Sequence, residues 1–326
     1  MDKIEHNYKY MINILDATTI SNFLSDNYVE DTKFRYNYSA EFIKWYIIDS
    51  INIGLYNDDL LIGFICGKKI NLFINKKETI ISEIDFLCIK KDYRNKKLCP
   101  ILLNKLKEEF NKIGIYNAIF TSEHKYQNQI THSNYYIRLI NPKYLYEIEY
   151  INSIPTNIEL PKIKGSKYLI KLENYDDYLK CFELYKKYII NFDCYEIFTK
   201  KTFIERFMNN HIKTFALYDN NIIDFISYYN IDINVLKQNK NTKDGYLYIY
   251  SNNSNNLHKM ISLLLHKLSE DNIDTFIALD IMENNTVLEN LNFIHKQSNY
   301  NYYLFNNYNI NINININNYK MAKILF

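Results

Sequence analysis

A single stretch, Glu83 to Leu102, restricts what this chain can fold into. Residues from about Ile80 to Ile89 read as a strand and a short basic loop follows. A helix then opens near Pro100, whose fixed φ and missing N–H suit a first helical turn. Leu102, Leu106, Phe110 and Ile113 recur at helical spacing, and Gly114 ends the run. Arg94, Lys96 and Lys97 thus lie against a helix start, where free N–H groups and the helix dipole favour an anion. Strand, basic loop and helix in this order imply an α/β chain that mounts an anion site rigidly.

The order of elements around this stretch can be read twice. Ahead of it come short helices over Ala17–Leu24 and Ala40–Tyr46, then strands near 50–56, 60–67 and 69–75, the first two joined at Asn57-Asp58-Asp59. After it come a strand over Ile115–Thr121, a helix near 130–140 that ends before Asn141-Pro142, and a strand over Tyr144–Tyr150. The segment Asn152–Gly165 holds two of the four prolines and marks a boundary. Helices near 175–190 and 198–209 follow, then strands near 214–218 and 222–229 joined at Asp219-Asn220-Asn221. A strand near 245–251, a helix near 255–269, a strand near 274–280, a short helix near 284–291 and a strand near 300–305 complete the second pass. The chain reads as a duplicated α/β unit with halves 1–151 and 152–326, of which only the first keeps the basic loop. Asn309 to Asn317 alternates Asn and Ile as an amphipathic edge strand would, and the apolar end through Phe326 is expected to be tucked in.

Composition narrows the function. Hydrophobic residues at 47% support a substantial core, and a net charge of +2 gives no excess to hold nucleic acid. Five cysteines without a Cys-x-x-Cys pair supply neither a disulfide framework nor a zinc site. Met1 to Tyr10 has no apolar run and no stretch reaches membrane-spanning length, so a cytoplasmic monomer without a metal is expected.

Glu83 and Asp85 are two residues apart on the strand and share a face. That face either lines a polar cleft or is an ordinary solvent-facing surface. The basic loop is spaced like the phosphate loop of GNAT acyltransferases, which holds a coenzyme A pyrophosphate. It lacks that family's glycines between Arg94 and Leu98.

Several ordered motifs together resemble the N-myristoyltransferases. They are Glu83-Ile84-Asp85-Phe86-Leu87-Cys88 and Arg94-Asn95-Lys96-Lys97-Leu98-Cys99-Pro100, with Asn27-Tyr28-Val29-Glu30-Asp31, Phe34-Arg35-Tyr36 and Tyr38-Ser39-Ala40-Glu41-Phe42 before them. Asp224 to Tyr229, Gly245 to Tyr250 and Ala278 to Asn284 match in the same order, so the resemblance runs from about residue 20 to residue 305. It implies two tandem GNAT-like units in an α/β (α+β) mixed sheet, saddle-shaped and surrounded by helices. The first half would bind myristoyl-CoA as co-substrate, and the second a protein with an N-terminal glycine. Backbone N–H groups of Phe86 and Leu87 would form an oxyanion hole, with the Phe326 carboxylate as base and Thr121 near the amine. Cys88, Ile89, Arg94, Asn95, Lys96, Lys97, Leu98, Cys99 and Pro100 would hold the coenzyme. Val29, Glu30, Asp31, Phe34, Tyr36, Tyr135, Ser227, Tyr246 and Asp280 would meet the peptide.

Asp85 stands where that family has asparagine, and is expected to stay ionised as a second proton acceptor. The family's amino-terminal segment is expected to be missing, with no room for it before about Tyr8; the family's Gly-Asp-Gly loop is Lys296-Gln297-Ser298 here, and Ser122-Glu123-His124-Lys125 and Ile137 also depart. Two other readings remain at this point: a GNAT-type transferase for a shorter acyl group or another amine, and a non-catalytic binder of acyl-CoA or glycine-starting tails.

Overall fold

One mixed sheet of fourteen strands runs through the computed structural model, which describes residues 8–28, 33–156, 158–305 and 314–325. The first half supplies β1 (Tyr8–Ile12), α1 (Ala17–Asn27), β2 (Phe34–Asn37), α2 (Ala40–Tyr46), β3 (Ser50–Asn57), β4 (Leu60–Ile74), β5 (Lys77–Ile89), α3 (Leu98–Lys112), β6 (Ala118–Ser122), β7 (Gln129–Leu139) and α4 (Pro142–Glu147). The second supplies β8 (Tyr168–Lys171), α5 (Tyr175–Ile189), β9 (Cys194–Glu196), α6 (Lys200–Phe207), β10 (Ile212–Asp219), β11 (Asn221–Val235), β12 (Lys240–Tyr250), α7 (Leu257–Glu270), β13 (Thr275–Leu279) and β14 (Ile294–Phe305). The sheet order is β1-β3-β4-β5-β6-β14-β7-β13-β12-β11-β10-β8, with β2 on β11 and β9 on β4.

The expected boundary, 152–165, lies in the connection from α4 to β8, which holds neither helix nor strand among its described residues. Strands nevertheless cross between halves: β14 lies between β6 and β7, β2 joins β11 and β9 joins β4. Each half contains one parallel pair that follows a helix, β5 with β6 across α3 and β12 with β13 across α7.

Four expectations need correction. The strands placed near 60–67 and 69–75 are one strand, β4. The helix placed near 130–140 is β7, held between β14 and β13, where its Thr, Tyr and Ile residues suit a pleated surface. Asn141-Pro142 starts the next helix rather than ending one, because Pro142 takes the first-turn position of α4 where a strand was expected. The helix placed near 284–291 is two 3₁₀ turns, Asn284–Thr286 and Glu289–Leu291. Most of the alternating Asn-Ile stretch lies outside the described residues. Its end is anchored, with Ile316 N donating to Ile130 O at 2.7 Å.

Side-chain caps open α1, α2, α5 and α6, from Asp16, Ser39, Asn174 and Thr199. Helix α3 has none: Lys97 precedes it in the left-handed conformation (φ 59°) without a side-chain cap. The helix is pressed onto β4 over two glycines. A Cβ on Gly67 would lie 2.4 Å from Phe110 Cε2, and one on Gly63 2.8 Å from Leu102 Cδ1. α3 and its basic loop are therefore fixed against the strand pair that opens the site.

Candidate active site

Parallel pairing of β5 with β6 is confined to Ser82↔Ala118 and Glu83↔Ile119. Beyond it β5 bulges. Its register on β4 passes from Cys66↔Asp85 to Phe64↔Cys88, so Phe86 and Leu87 share the space opposite Ile65. Phe86 takes a left-handed φ of 56°, uncommon for a bulky residue and costing about 1–3 kcal/mol. Edge-on contacts from Tyr28, Tyr38 and Tyr46, with ring centroids 5.6, 5.1 and 5.1 Å away, hold its ring in place. A bulge leaves main-chain groups outside the ladder, and both Phe86 and Leu87 line a cavity of about 880 Å³.

The cavity has two differently made walls. Ile84, Leu87, Leu103, Leu106, Phe110 and Phe120 form an apolar wall between β5, α3 and β6. Tyrosines form the other: Tyr28, Tyr36, Tyr38 and Tyr135 with Tyr229, Tyr246 and Tyr300. Asp85 and Thr121 sit in the same lining, as do Ile324 and Leu325 of the C-terminal tail.

Glu83 and Asp85 are both buried, so the solvent-facing alternative is excluded. The Asp85 carboxylate accepts a hydrogen bond from the Tyr46 hydroxyl. Burial first, and then the charge of Glu83, push its carboxyl up to about 7, against Tyr46, Lys323 and Lys68 acting in the other direction. The expectation of a fully ionised Asp85 is thereby corrected: near neutral pH the group is shared between its two forms.

The basic loop divides its tasks. Arg94 donates to Asn27 O at 2.7 Å and Ile89 O at 3.3 Å, tying the loop to the end of α1 and the end of β5. Asn95 and Lys97 adopt positive φ, at 61° and 59°, and so do the conformational work for which the loop has no glycine. Lys96 lies over the Tyr93 ring at 4.3 Å. α3 starts at Leu98, two residues before Pro100, and its uncapped N–H groups face the loop end. Pro100 lines the cavity, Cys99 is exposed, and Cys88, Ile89 and Leu98 are buried beneath the loop.

Of the residues expected to meet a peptide, Tyr36, Tyr135 and Tyr246 line the cavity. Phe34 packs on Tyr150 with ring centroids 4.7 Å apart. Ser227 is buried in a cross-strand exchange, donating to Ile249 O at 2.5 Å and accepting from Ile249 N at 3.2 Å. Asp280 accepts from Asn134 N and Asn134 Nδ2 at 2.7 and 2.6 Å. These two polar groups serve the sheet and are not part of the lining. Val29, Glu30, Asp31 and Phe326 lie outside the described residues.

Sequence reasoning passed over Tyr46, Tyr229 and Tyr300. It also passed over a buried ionic cluster in which Lys323 meets Glu83 and Glu196 at 2.9 and 2.8 Å. A lone lysine in the apolar run Met321 to Leu325 is a usable signal, since a buried charge needs a partner.

Family models for myristoyl-CoA:protein N-myristoyltransferase match both halves, the N-terminal domain over residues 2–133 and the C-terminal domain over 145–324. The chain belongs to the N-myristoyltransferase family. It is accordingly an acyltransferase of that family. A glycylpeptide N-tetradecanoyltransferase of Plasmodium falciparum is 30% identical over 319 residues, covering 89% of this chain and 76% of the relative. The one from Saccharomyces cerevisiae is 29% identical over 330 residues, covering 87% and 72%. The crystal structure of S. cerevisiae N-myristoyltransferase with bound myristoyl-CoA superposes with a TM-score of 0.87 at 24% identity, over 100% of this chain and 91% of that one. A GCN5-related N-acetyltransferase from Anabaena variabilis matches with a TM-score of 0.55 at 11% identity, over 94% and 73%, and this shows a shared fold alone. Among the described residues no group of His, Cys, Asp and Glu is placed to hold a metal, and no helix is long and apolar enough to cross a membrane.

Proposed function

We propose that this chain transfers a myristoyl group from myristoyl-CoA to the α-amine of an N-terminal glycine. The observation that carries the reading is the bulge at Phe86 and Leu87, set between an apolar wall suited to an acyl chain and a tyrosine wall suited to a peptide. The amine nitrogen attacks the thioester carbonyl carbon, and the carbonyl oxygen takes up negative charge. Main-chain N–H groups of Phe86 and Leu87 stabilise it, each worth about 3–4 kcal/mol. The tetrahedral adduct collapses, the C–S bond breaks, and coenzyme A leaves as a thiolate that takes a proton.

An α-amine has a pKa of about 8, so a modest base suffices to remove its proton. The terminal carboxylate of Phe326 is assigned that role, supported by the neighbouring Leu325 in the cavity lining. Asp85, titrating near neutrality on the same wall, is a second acceptor. Thr121 on the facing lip of β6 orients the amine. Lys96, Lys97 and the open start of α3 hold the coenzyme phosphates. Arg94 acts behind them as the tie that keeps the loop in shape.

The test is incubation with myristoyl-CoA or acetyl-CoA and a Gly-initiated peptide, with the product weighed. A myristoyl adduct on the peptide amine is expected. Acetyl transfer in its place, or binding without turnover, contradicts the reading.

A further inference from the structure

Two carboxylates of β5 lie two residues apart, and the fold gives them different surroundings. Asp85 lines the cavity beside the bulge, whereas Glu83, at 1% exposure, stands outside that lining. Lys323 Nζ, buried to the same degree, donates to Glu83 Oε2 at 2.9 Å and to Glu196 Oε2 of β9 at 2.8 Å. Glu83 Oε1 is buried without a hydrogen-bond partner among the described residues, so this ammonium is the direct compensation of the Glu83 charge. Arg206 of α6 approaches Glu196 at 3.5 Å. Lys68 of β4 stands opposite Glu83 in the ladder, and its Nζ lies over the Tyr46 ring at 4.3 Å. Tyr46 in turn donates to Asp85.

Charge decides how such a pair of acids divides its protons. Lys323, Arg206 and Lys68 are gathered with Glu83, Glu196 and Asp85, so the cluster among the described residues is neutral when Asp85 is ionised. Without the Lys323 charge, two neighbouring buried carboxylates would compete for one proton. With it, Glu83 is the acid kept ionised, and Asp85 is the one left to exchange a proton with the cavity. The other ionisable groups toward Asp85 are Cys66 of β4, Tyr28 after α1, Tyr229 of β11 and Tyr300 of β14. Burial pushes all four up, Cys66 to about 12, so they stay neutral over the working range of pH.

We propose that Lys323 is a positioning residue that acts through Glu83: by holding the rear carboxylate in an ion pair, it leaves Asp85 as the group that takes the proton of the reacting amine. In that step an N–H bond of the ammonium breaks and an O–H bond forms on Asp85, which returns the proton to water. The proposal rests on the reading of Asp85 as an acceptor.

The experiment records kcat on saturating substrates from pH 5.5 to 9 for the full chain, Lys323→Met, Glu83→Gln, the two changes combined, and Asp85→Asn, with circular dichroism to verify folding. The acid limb of the parent is expected near pH 7. Lys323→Met should move it up by about one pH unit, and Glu83→Gln should move it down by about one. The combined variant removes one charge of each sign and should bring the limb back to within about half a unit of the parent. A limb that stays in place or moves down in Lys323→Met, or a loss of rate at every pH without movement, overturns the positioning role. Asp85→Asn with an unchanged profile overturns the acceptor reading and the proposal with it. Where Lys323→Met does not fold, the combined variant against Glu83→Gln carries the comparison, and failure of the limb to return overturns the proposal.

Discussion

The Tyr46 hydroxyl, from the end of α2, donates to the Asp85 carboxylate one residue before the bulge of β5. That contact links a helix of the first half to the lip of the cavity. It also opposes burial and Glu83, which push the Asp85 carboxyl up to about 7.

Asp85→Asn tests the acceptor role. The parent kcat should rise as pH passes through about 7 and Asp85 ionises. The variant should lose that limb and run about tenfold slower at pH 8, as for a supplementary rather than sole base. Rate measurements from pH 5.5 to 9, on saturating substrates, decide the matter. An unchanged rate and profile would contradict the assignment.

The same substitution has a stability signature of known sign. The folded carboxyl titrates at about 7 against an ordinary 3.8, so the native state binds the proton more tightly and loses stability as pH climbs between those values. Asp85→Asn should therefore raise Tm relative to the parent, little at pH 4 and increasingly up to pH 7, with no further gain above. Thermal melts across that range would show it.

Tyr46→Phe removes the donor while keeping the ring against Phe86. The acid limb of kcat should move to higher pH, and stability at pH 8 should fall by about 1–3 kcal/mol, the scale for a hydrogen bond to a charged acceptor. Urea melts and the pH–rate profile report the two effects separately.

In the basic loop, neighbouring cations should behave differently. Lys96→Ala with Lys97→Ala should raise KM for myristoyl-CoA several-fold, more at low salt than at high, with kcat and Tm little changed. Arg94→Ala should instead lower Tm, since it severs the ties to Asn27 O and Ile89 O. Steady-state kinetics at two ionic strengths and a melt of each variant separate the two roles.

Strand, loop and helix around Glu83 to Leu102 were legible because they depend on local periodicity and on a proline suited to the first helical turn. Residues 130–150 were misread for a tertiary reason: β7 is a strand because β14 and β13 flank it, and no local pattern announces a neighbour about 160 residues away. The bulge was hidden as well, since nothing in Phe86 calls for a left-handed φ; the tyrosines that hold it come from the residue just after α1, from the segment before α2 and from α2. The glycine-poor loop looked deficient because asparagine was not counted as a substitute. Nine of the sixteen non-glycine positive-φ residues among those described are asparagine, whose short side chain tolerates that region. Ser227 and Asp280 were placed at the peptide by resemblance, and the structure gives their polar atoms to neighbouring strands.

The most direct measurement is a crystal structure with a non-hydrolysable myristoyl-CoA analogue. The carbonyl oxygen should lie about 2.7–3.1 Å from the N–H groups of Phe86 and Leu87, with the acyl chain along Leu103, Leu106 and Phe110. A carbonyl turned away from both amides, or an acyl chain lodged among the tyrosines, would contradict the account.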